Sequence, residues 1–316
     1  MHKSLAVSLF NRIQSIEDAV ISQKRGKAAG PDGLHIEAFI FGGPRLKVHL
    51  SFLFNLFLRH GYVPDAFCQS IVIPLVKCKS GDLSDVNNYR AIALANSVSK
   101  ILESALFDYI DSYDPVDEYQ FGFTKNVATN MCTHVFKKTV QYYRQHGSYV
   151  FTCFIDFNKA FDNVDYWLLF SKLIDYNNST VCFYATRLLA FWYNAQTMCV
   201  RWQNICSSFF KVGKGVRQGG ILSPFLFRFY IRDLMSTVVR TNIGCNFAGT
   251  FVNLLAYADD LVLLAPSWRG MQILLNTVQD AASKIKMSFN TKKLSAWFLT
   301  QPIKANVLPI LSQTSL

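Results

Sequence analysis

The chain has 316 residues, 51% of them apolar and 15% aromatic, which is enough to bury one large core or two ordinary ones and excludes a disordered polymer. Lysine and arginine outnumber aspartate and glutamate 32 to 21, and the resulting +11 favours a polyanionic partner such as nucleic acid, although ribosomal and histone-like proteins share that balance. Apolar runs stop short of the roughly eighteen residues of a membrane span, and MHKSLAVSLFNRIQ is too weakly apolar for a signal peptide. The expected setting is therefore intracellular, nucleus or cytoplasm, without a membrane partner.

In chain order, the first helical pattern runs from Leu46 to His60 and is closed by Gly61, where a terminating glycine belongs. SIVIPLVK (Ser70 to Lys77) reads as a strand that Pro74 pushes toward a sheet edge, and CKSGD (Cys78 to Asp82) as a turn with Lys77 and Lys79 at its mouth. Ser97 can cap a helix from Val98 to Ile110, with Leu102, Leu106 and Tyr109 at helical spacing. SYVFTCFID (Ser148 to Asp156) is a β-branched and aromatic run that ends abruptly on an acid, as a buried strand does when it delivers a polar group to its end. A helix follows from Tyr166 to Tyr176, capped by Asp165, with helical pattern continuing to Tyr193. In GVRQGGILSP (Gly215 to Pro224), Ser223 and Pro224 take the N-cap and first helical positions of a long helix reaching Arg240. LLAYA and LVLLA form a hairpin split by Asp259 and Asp260, and a helix from Gly270 to Lys286 ends the series. The eight cysteines contain no C-x-x-C pair and sit mostly among apolar residues, the pattern of buried free thiols.

Helices mixed with a few short strands imply an α+β fold, a small antiparallel sheet backed by helices. An adjacent acid pair at a hairpin tip is commonly just a solvated turn. It gains meaning if the strand ending at Asp156 lies beside that hairpin, for three carboxylates then converge and repel one another unless divalent cations join them. Mg²⁺ takes oxygen ligands and is typically held by one or two carboxylates plus substrate phosphates. A pair of such ions roughly 3.5 to 4 Å apart activates an attacking hydroxyl and neutralises a leaving pyrophosphate. Carboxylates gathered in one place on a basic chain thus point to nucleotidyl transfer on a polynucleotide.

FIDFNKAFDNVD (Phe154 to Asp165), GVRQGGILSPFLF (Gly215 to Phe227) and AYADDLVLLA (Ala256 to Ala265), in this order, resemble the palm motifs of reverse transcriptases, in particular those of non-LTR, LINE-type retrotransposons. The resemblance extends to GKAAGPDGL (from Gly26), IPLVKCKSGDLSDVNNYRAIAL (from Ile73), YQFGF (Tyr119 to Phe123) and IKMSFNTKK (Ile285 to Lys293). It implies a right-hand polymerase with fingers over 1–115, a palm over 116–299 and a remnant at 300–316, the thumb being largely absent. The activity implied is RNA-directed DNA polymerase, with an RNA template, a DNA primer and dNTP as partners and Mg²⁺ as cofactor, two ions, Mn²⁺ being a possible substitute. A remnant that binds nucleic acid without turnover is the rival, since no primer-grip turn is recognisable after Lys293. An RNA-dependent RNA polymerase is disfavoured by Phe161 and the YADD form.

Carried over by position, the resemblance makes Asp156, Asp259 and Asp260 the metal-binding acids and lays the Phe157 backbone beside them against the triphosphate. Phe161 matches the aromatic gate that disfavours a 2′-hydroxyl. Gln218, Gly219 and Gly220 match the loop beneath the nascent base pair, where glycine permits close backbone approach. Lys77 or Lys79, and Arg90, match the cations over the phosphates. Lys293, with Lys292 as the competing register, matches a general acid toward pyrophosphate. Lys24, Arg25 and Lys27 are either a template-backbone contact or a solvated charge run. Arg228 and Arg232 depart from the family pattern and are expected to face outward; Thr124 stands where a basic residue is usual.

Overall fold

The computed structural model describes residues 13–111, 119–124, 127–176, 180–247, 249–291 and 295–299. The chain divides into two interleaved compact units, the first Met1–Asp114 with Asp165–Leu226, the second Pro115–Val164 with Phe227–Leu316. Elements are numbered along the whole chain.

The first unit holds helices α1 (Ile13–Ile21), α2 (Glu37–Ile40), α3 (Gly43–His60), α4 (Asp65–Cys68), α5 (Ser97–Asp111), α7 (Tyr166–Tyr176) and α8 (Thr180–Asn194). Its strands are β1 (Gln69–Val76), β2 (Tyr89–Ala95), β4 (Thr197–Trp202), β5 (Ile205–Cys206) and β6 (Phe210–Lys211). The sheet runs β2-β1-β4-β5, with β6 also on β4; β1 is antiparallel to β2 and parallel to β4. The expectation that Pro74 marks an edge strand is corrected here, because β1 is interior. Pairing with β4 ends at Val72, so beyond it β1 has a partner on one side only and Pro74 breaks no ladder there. The helix ends follow the expected chemistry. Gly61 adopts φ 65° and donates its amide to Phe57 at the end of α3, and Asp165 accepts from Leu168 N at 3.0 Å at the start of α7. Ser97 instead donates to the Leu34 carbonyl, at 2.7 Å. Leu102 and Leu106 are fully buried, as their spacing predicts; the Tyr109 side chain lies outside the described residues.

The second unit is built on a sheet of order β11-β3-β10-β9, all neighbours antiparallel: β3 (Val150–Asp156), β9 (Leu254–Tyr257), β10 (Asp260–Ala265) and β11 (Ser295–Leu299). A small hairpin, β7 (Cys245–Phe247) with β8 (Thr250–Val252), and helices α6 (Thr129–Gln145) and α10 (Trp268–Lys284) complete it. Cys132, Phe136 and Val140, spaced by four on α6, pack with Phe154, Leu255, Val262 and Leu264 of the sheet. The residue of β3 three positions before Phe154, Phe151, points to the other face and meets Trp268 of α10 edge-on, ring centroids 6.1 Å apart. Helices on both faces explain why β10 reads LVLLA without alternation: every residue of it is buried.

Helix α9 (Ser223–Val239) carries the division between the units, after Leu226. Phe225, Leu226, Phe227, Phe229, Tyr230 and Ile231 are all buried, so its first turns have almost no solvent face. That corrects the expectation for Arg228, which is only 8% exposed; Arg232 is half-buried, its guanidinium 4.9 Å from the Phe229 ring centre. Cys68, Cys132, Cys153, Cys199 and Cys245 are buried, whereas Cys78 and Cys206 are exposed. Among the described residues, no helix is long and apolar enough to cross a membrane.

Candidate active site

The supposed pairing of the strand ending at Asp156 with the acidic hairpin is observed in the second unit. Asp156, the last residue of β3, stands directly opposite Asp260, the first residue of β10. Cross-strand neighbours in such a pair have Cβ atoms about 5 Å apart and point to one face of the sheet. Further along the same face run Val262 opposite Phe154 and Leu264 opposite Thr152, so the two acids end a row that is otherwise core. Asp260 is 8% exposed, Asp156 partly exposed. Asp259 precedes Asp260 in a tight turn with Ala258, closed by pairing of Tyr257 with Asp260. Ala258 has φ 57°, a left-handed conformation that a residue with a Cβ adopts only under constraint.

Asp156 is held from its other side by the segment after α10. Asn290 donates its backbone N–H to Asp156 O at 2.8 Å and its Nδ2 to Asp156 Oδ2 at 3.2 Å. Phe157 is buried, its ring 5.3 Å from Phe289, and Asn158 N donates to Ser288 O at 2.8 Å. Phe161 is half-buried and stacked on Phe227, centroids 4.9 Å apart with planes at 14°. The edge of Phe123 meets it at 5.9 Å; Phe123 is exposed and has φ 62°.

The remaining candidates lie in the first unit. Lys79 and Arg90 are exposed, and Lys77 donates its ammonium to the Asn87 carbonyl at 2.9 Å. The turn between them is fastened by Asn88, which accepts from Cys78 N and donates to the carbonyls of Cys78 and Asp82 at 3.0 to 3.1 Å. Within this turn the Ser80 hydroxyl lowers the Cys78 thiol pKa below its ordinary value. Gln218 pairs with β2, its carbonyl accepting from Ala93 N at 2.7 Å. Gly219 has φ 99°, and a Cβ on Gly220 would lie 2.6 Å from Ser223 Oγ, so both positions require glycine.

Sequence reasoning missed what holds this loop. Arg217 (2% exposed) and Glu103 (1% exposed) form a buried ion pair, and Glu103 Oε2 also accepts from Ile221 N at 2.7 Å where the chain enters α9. Arg217 lies over the Trp192 ring, 5.3 Å from its centre. The signal was a lone Glu inside the apolar helix pattern KILESAL. Lys292 and Lys293 lie outside the described residues, so the general-acid assignment is not placed.

The donor chemistry fits a hard divalent cation: aspartate oxygens, two of the residues based on the paired strands β3 and β10. Among the described residues no three His, Cys, Asp or Glu side chains form a ready-made metal cluster. An open carboxylate set completed by substrate is how Mg²⁺ is commonly bound.

A mixed α/β protein with antiparallel-rich sheets and an acidic hairpin beside a strand ending on aspartate defines the class. The family model described as reverse transcriptase (RNA-dependent DNA polymerase) matches residues 78–308, and the chain belongs to that family. It is 26% identical over 302 residues to an RNA-directed DNA polymerase from mobile element jockey of Drosophila funebris, covering 92% of this chain and 32% of that protein. It is 27% identical over 279 residues to a Pol polyprotein from retrotransposable element R2 of Popillia japonica, covering 84% and 36%. It is 26% identical over 254 residues to a putative 115 kDa protein in element R1DM of Drosophila melanogaster, covering 79% and 23%. These relatives are proteins of non-LTR retrotransposons, and the chain spans between about a quarter and about a third of their length. Reverse transcriptases generally use divalent metal ions.

Proposed function

We propose that the chain is an RNA-directed DNA polymerase domain that extends a DNA primer on an RNA template, with fingers over 1–115, a palm over 116–299 and 300–316 beyond it. The observation that carries the reading is the direct opposition of Asp156 and Asp260, with Asp259 in the adjoining turn. Like charges set face to face weaken a sheet by themselves, so their presence at the end of a buried row favours a functional cause.

Asp156, Asp259 and Asp260 would hold two Mg²⁺ ions, or Mn²⁺ in their place. When bound, these supply Lewis-acid stabilisation of the attacking hydroxyl and the leaving pyrophosphate. The chain's own part is placement: β3 and β10 fix the carboxylates, and Phe157 lends its backbone to the triphosphate. Phe161, braced by Phe227, faces the sugar and rejects a 2′-hydroxyl by steric exclusion. In the first unit, Lys77 or Lys79 with Arg90 contact phosphates, and Gln218, Gly219 and Gly220 form a flat backbone surface against a base pair. Lys293 is the general acid of the proposal. The setting is intracellular, nucleus or cytoplasm.

The test is Mg²⁺-dependent extension of a DNA primer on poly(rA) with dTTP, comparing the parent with the Asp259→Ala, Asp260→Ala variant. Extension by the parent alone is expected. A folded parent that binds RNA yet extends no primer, or equal extension by both proteins, overturns the reading.

A further inference from the structure

The turn that carries Asp259 is gripped from outside its own hairpin. Strand β9 is the last in its sheet, and the segment Tyr119–Phe121 lies along its free edge: Ala256 N donates to Tyr119 O and Phe121 N to Ala256 O, both at 2.8 Å. Between those two bonds Gln120, 1% exposed, turns its side chain onto the hairpin tip. Its Oε1 accepts from Ala258 N at 2.9 Å and from Gly122 N at 2.9 Å, and its Nε2 donates to Ala258 O at 3.1 Å. Both backbone polar groups of the residue held at φ 57° are thus bound by one amide. Gly122 completes the fit, for a Cβ there would stand 2.1 Å from Ala258 N.

Resting on the polymerase reading, we infer that Gln120 is a positioning residue, whose side-chain amide holds the Ala258–Asp259 turn and thereby sets where Asp259 and Asp260 present their carboxylates. The chemistry explains why an amide stands there. A peptide-like side chain offers an acceptor to the N–H and a donor to the C=O of a single residue, which neither a carboxylate nor an ammonium can do. A Glu would set a negative oxygen against the Ala258 carbonyl and add charge beside three acids. An Asn is one methylene short. Without the clamp, the steric cost of a left-handed alanine works to release it. The turn would then sample other conformations, and the acids with it.

The experiment uses the whole chain with Gln120→Met, which keeps the volume and removes the hydrogen bonds, and Gln120→Ala beside it. Amide exchange in the metal-free protein is expected to quicken at 256–260 while β3 and the inner part of β10 keep their protection. Mn²⁺ binding, read by electron paramagnetic resonance without substrates, weakens by about tenfold or more, the usual size of losing a partner that orients a metal ligand. Primer extension falls in kcat, with KM for dTTP within about twofold of the parent. Unchanged exchange and Mn²⁺ affinity in Gln120→Met overturn the inference, as does protection lost evenly across the sheet, the mark of a merely structural role. A parent that neither binds Mn²⁺ nor extends a primer defeats the polymerase reading instead, and the exchange data still decide on the clamp.

Discussion

Two loops carry most of the candidate chemistry, and they are fastened in opposite ways. In the first unit the Gln218–Gly220 loop is fixed by a buried ion pair, Arg217 with Glu103, whose carboxylate also takes the amides of Ile221 and Leu222. In the second unit the Ala258–Asp259 turn is fixed by a neutral amide, Gln120. The difference follows from what each loop presents. Gln218, Gly219 and Gly220 bear no charge, so a balanced pair beneath them leaves their electrostatics intact. In the proposed site Asp259 and Asp260 are themselves the working charges; an arginine clamp would neutralise them and an acidic one would raise their repulsion. A polar, uncharged anchor is the remaining choice.

The sharpest way to break this contrast is Glu103→Gln. It strands the Arg217 guanidinium in the interior, where removing one partner of a buried pair commonly costs about 3 to 5 kcal/mol. Urea unfolding followed by fluorescence, to which Trp192 beneath the guanidinium contributes, should show a much lower midpoint. A loss under about 1 kcal/mol, the size of an exposed pair, would mean that Arg217 finds other partners and the pair is not what holds the loop.

A second comparison sets the buried thiols of the units side by side. Burial pushes Cys68 in the first unit up to about 11, and Cys132 and Cys245 in the second up to about 12. A folded pKa raised above the unfolded value of 9.0 gives stability that is whole below pH 9 and lost as pH climbs toward the folded value. Each thiol contributes at most about 1.4 kcal/mol per pH unit to that slope. Between pH 9 and 10.5 the Cys132→Ala, Cys245→Ala variant should therefore lose stability less steeply than the parent, measured by urea midpoints at each pH. Parallel slopes would show these thiols to be reachable by water.

How much of this was legible depends on where each residue's partners sit. The hairpin and the strand ending on Asp156 could be read because their apolar runs and their acids are local, and only one pairing, β3 with β10, had to be supposed. The strands found at 150–156 and 254–265 fall within the segments expected. Helix α6 went unread: its buried residues are Cys132, Phe136, Thr139 and Val140, interrupted by His134, Lys137 and Lys138, which blurs the apolar stripe. Pro74 misled because a proline's cost depends on the partner strand opposite it, and β4 comes more than a hundred residues later. The anchors were hardest. Gln120 bonds Ala258 across 138 positions, Glu103 bonds Arg217 across 114 and Asn290 bonds Asp156 across 134. A polar residue inside an apolar pattern says that it has a partner, but not which one.

The smallest effect is the one that best separates function from structure. Asp260→Asn keeps the shape of the residue and removes one of two like charges facing each other across β10 and β3. Relief of such a cross-strand opposition is worth about 0.2 to 1 kcal/mol. In buffer without divalent ions the variant should be more stable than the parent by that amount, while Mg²⁺ added to both should raise the parent's midpoint further than the variant's, since a ligand stabilises the state that binds it. Primer extension should be lost in the variant. A residue that weakens the fold yet is needed for turnover marks a site selected for its chemistry. If the variant is instead less stable without divalent ions, Asp260 serves the fold through its other interactions, and the weight of the metal-site reading shifts to Asp156 and Asp259.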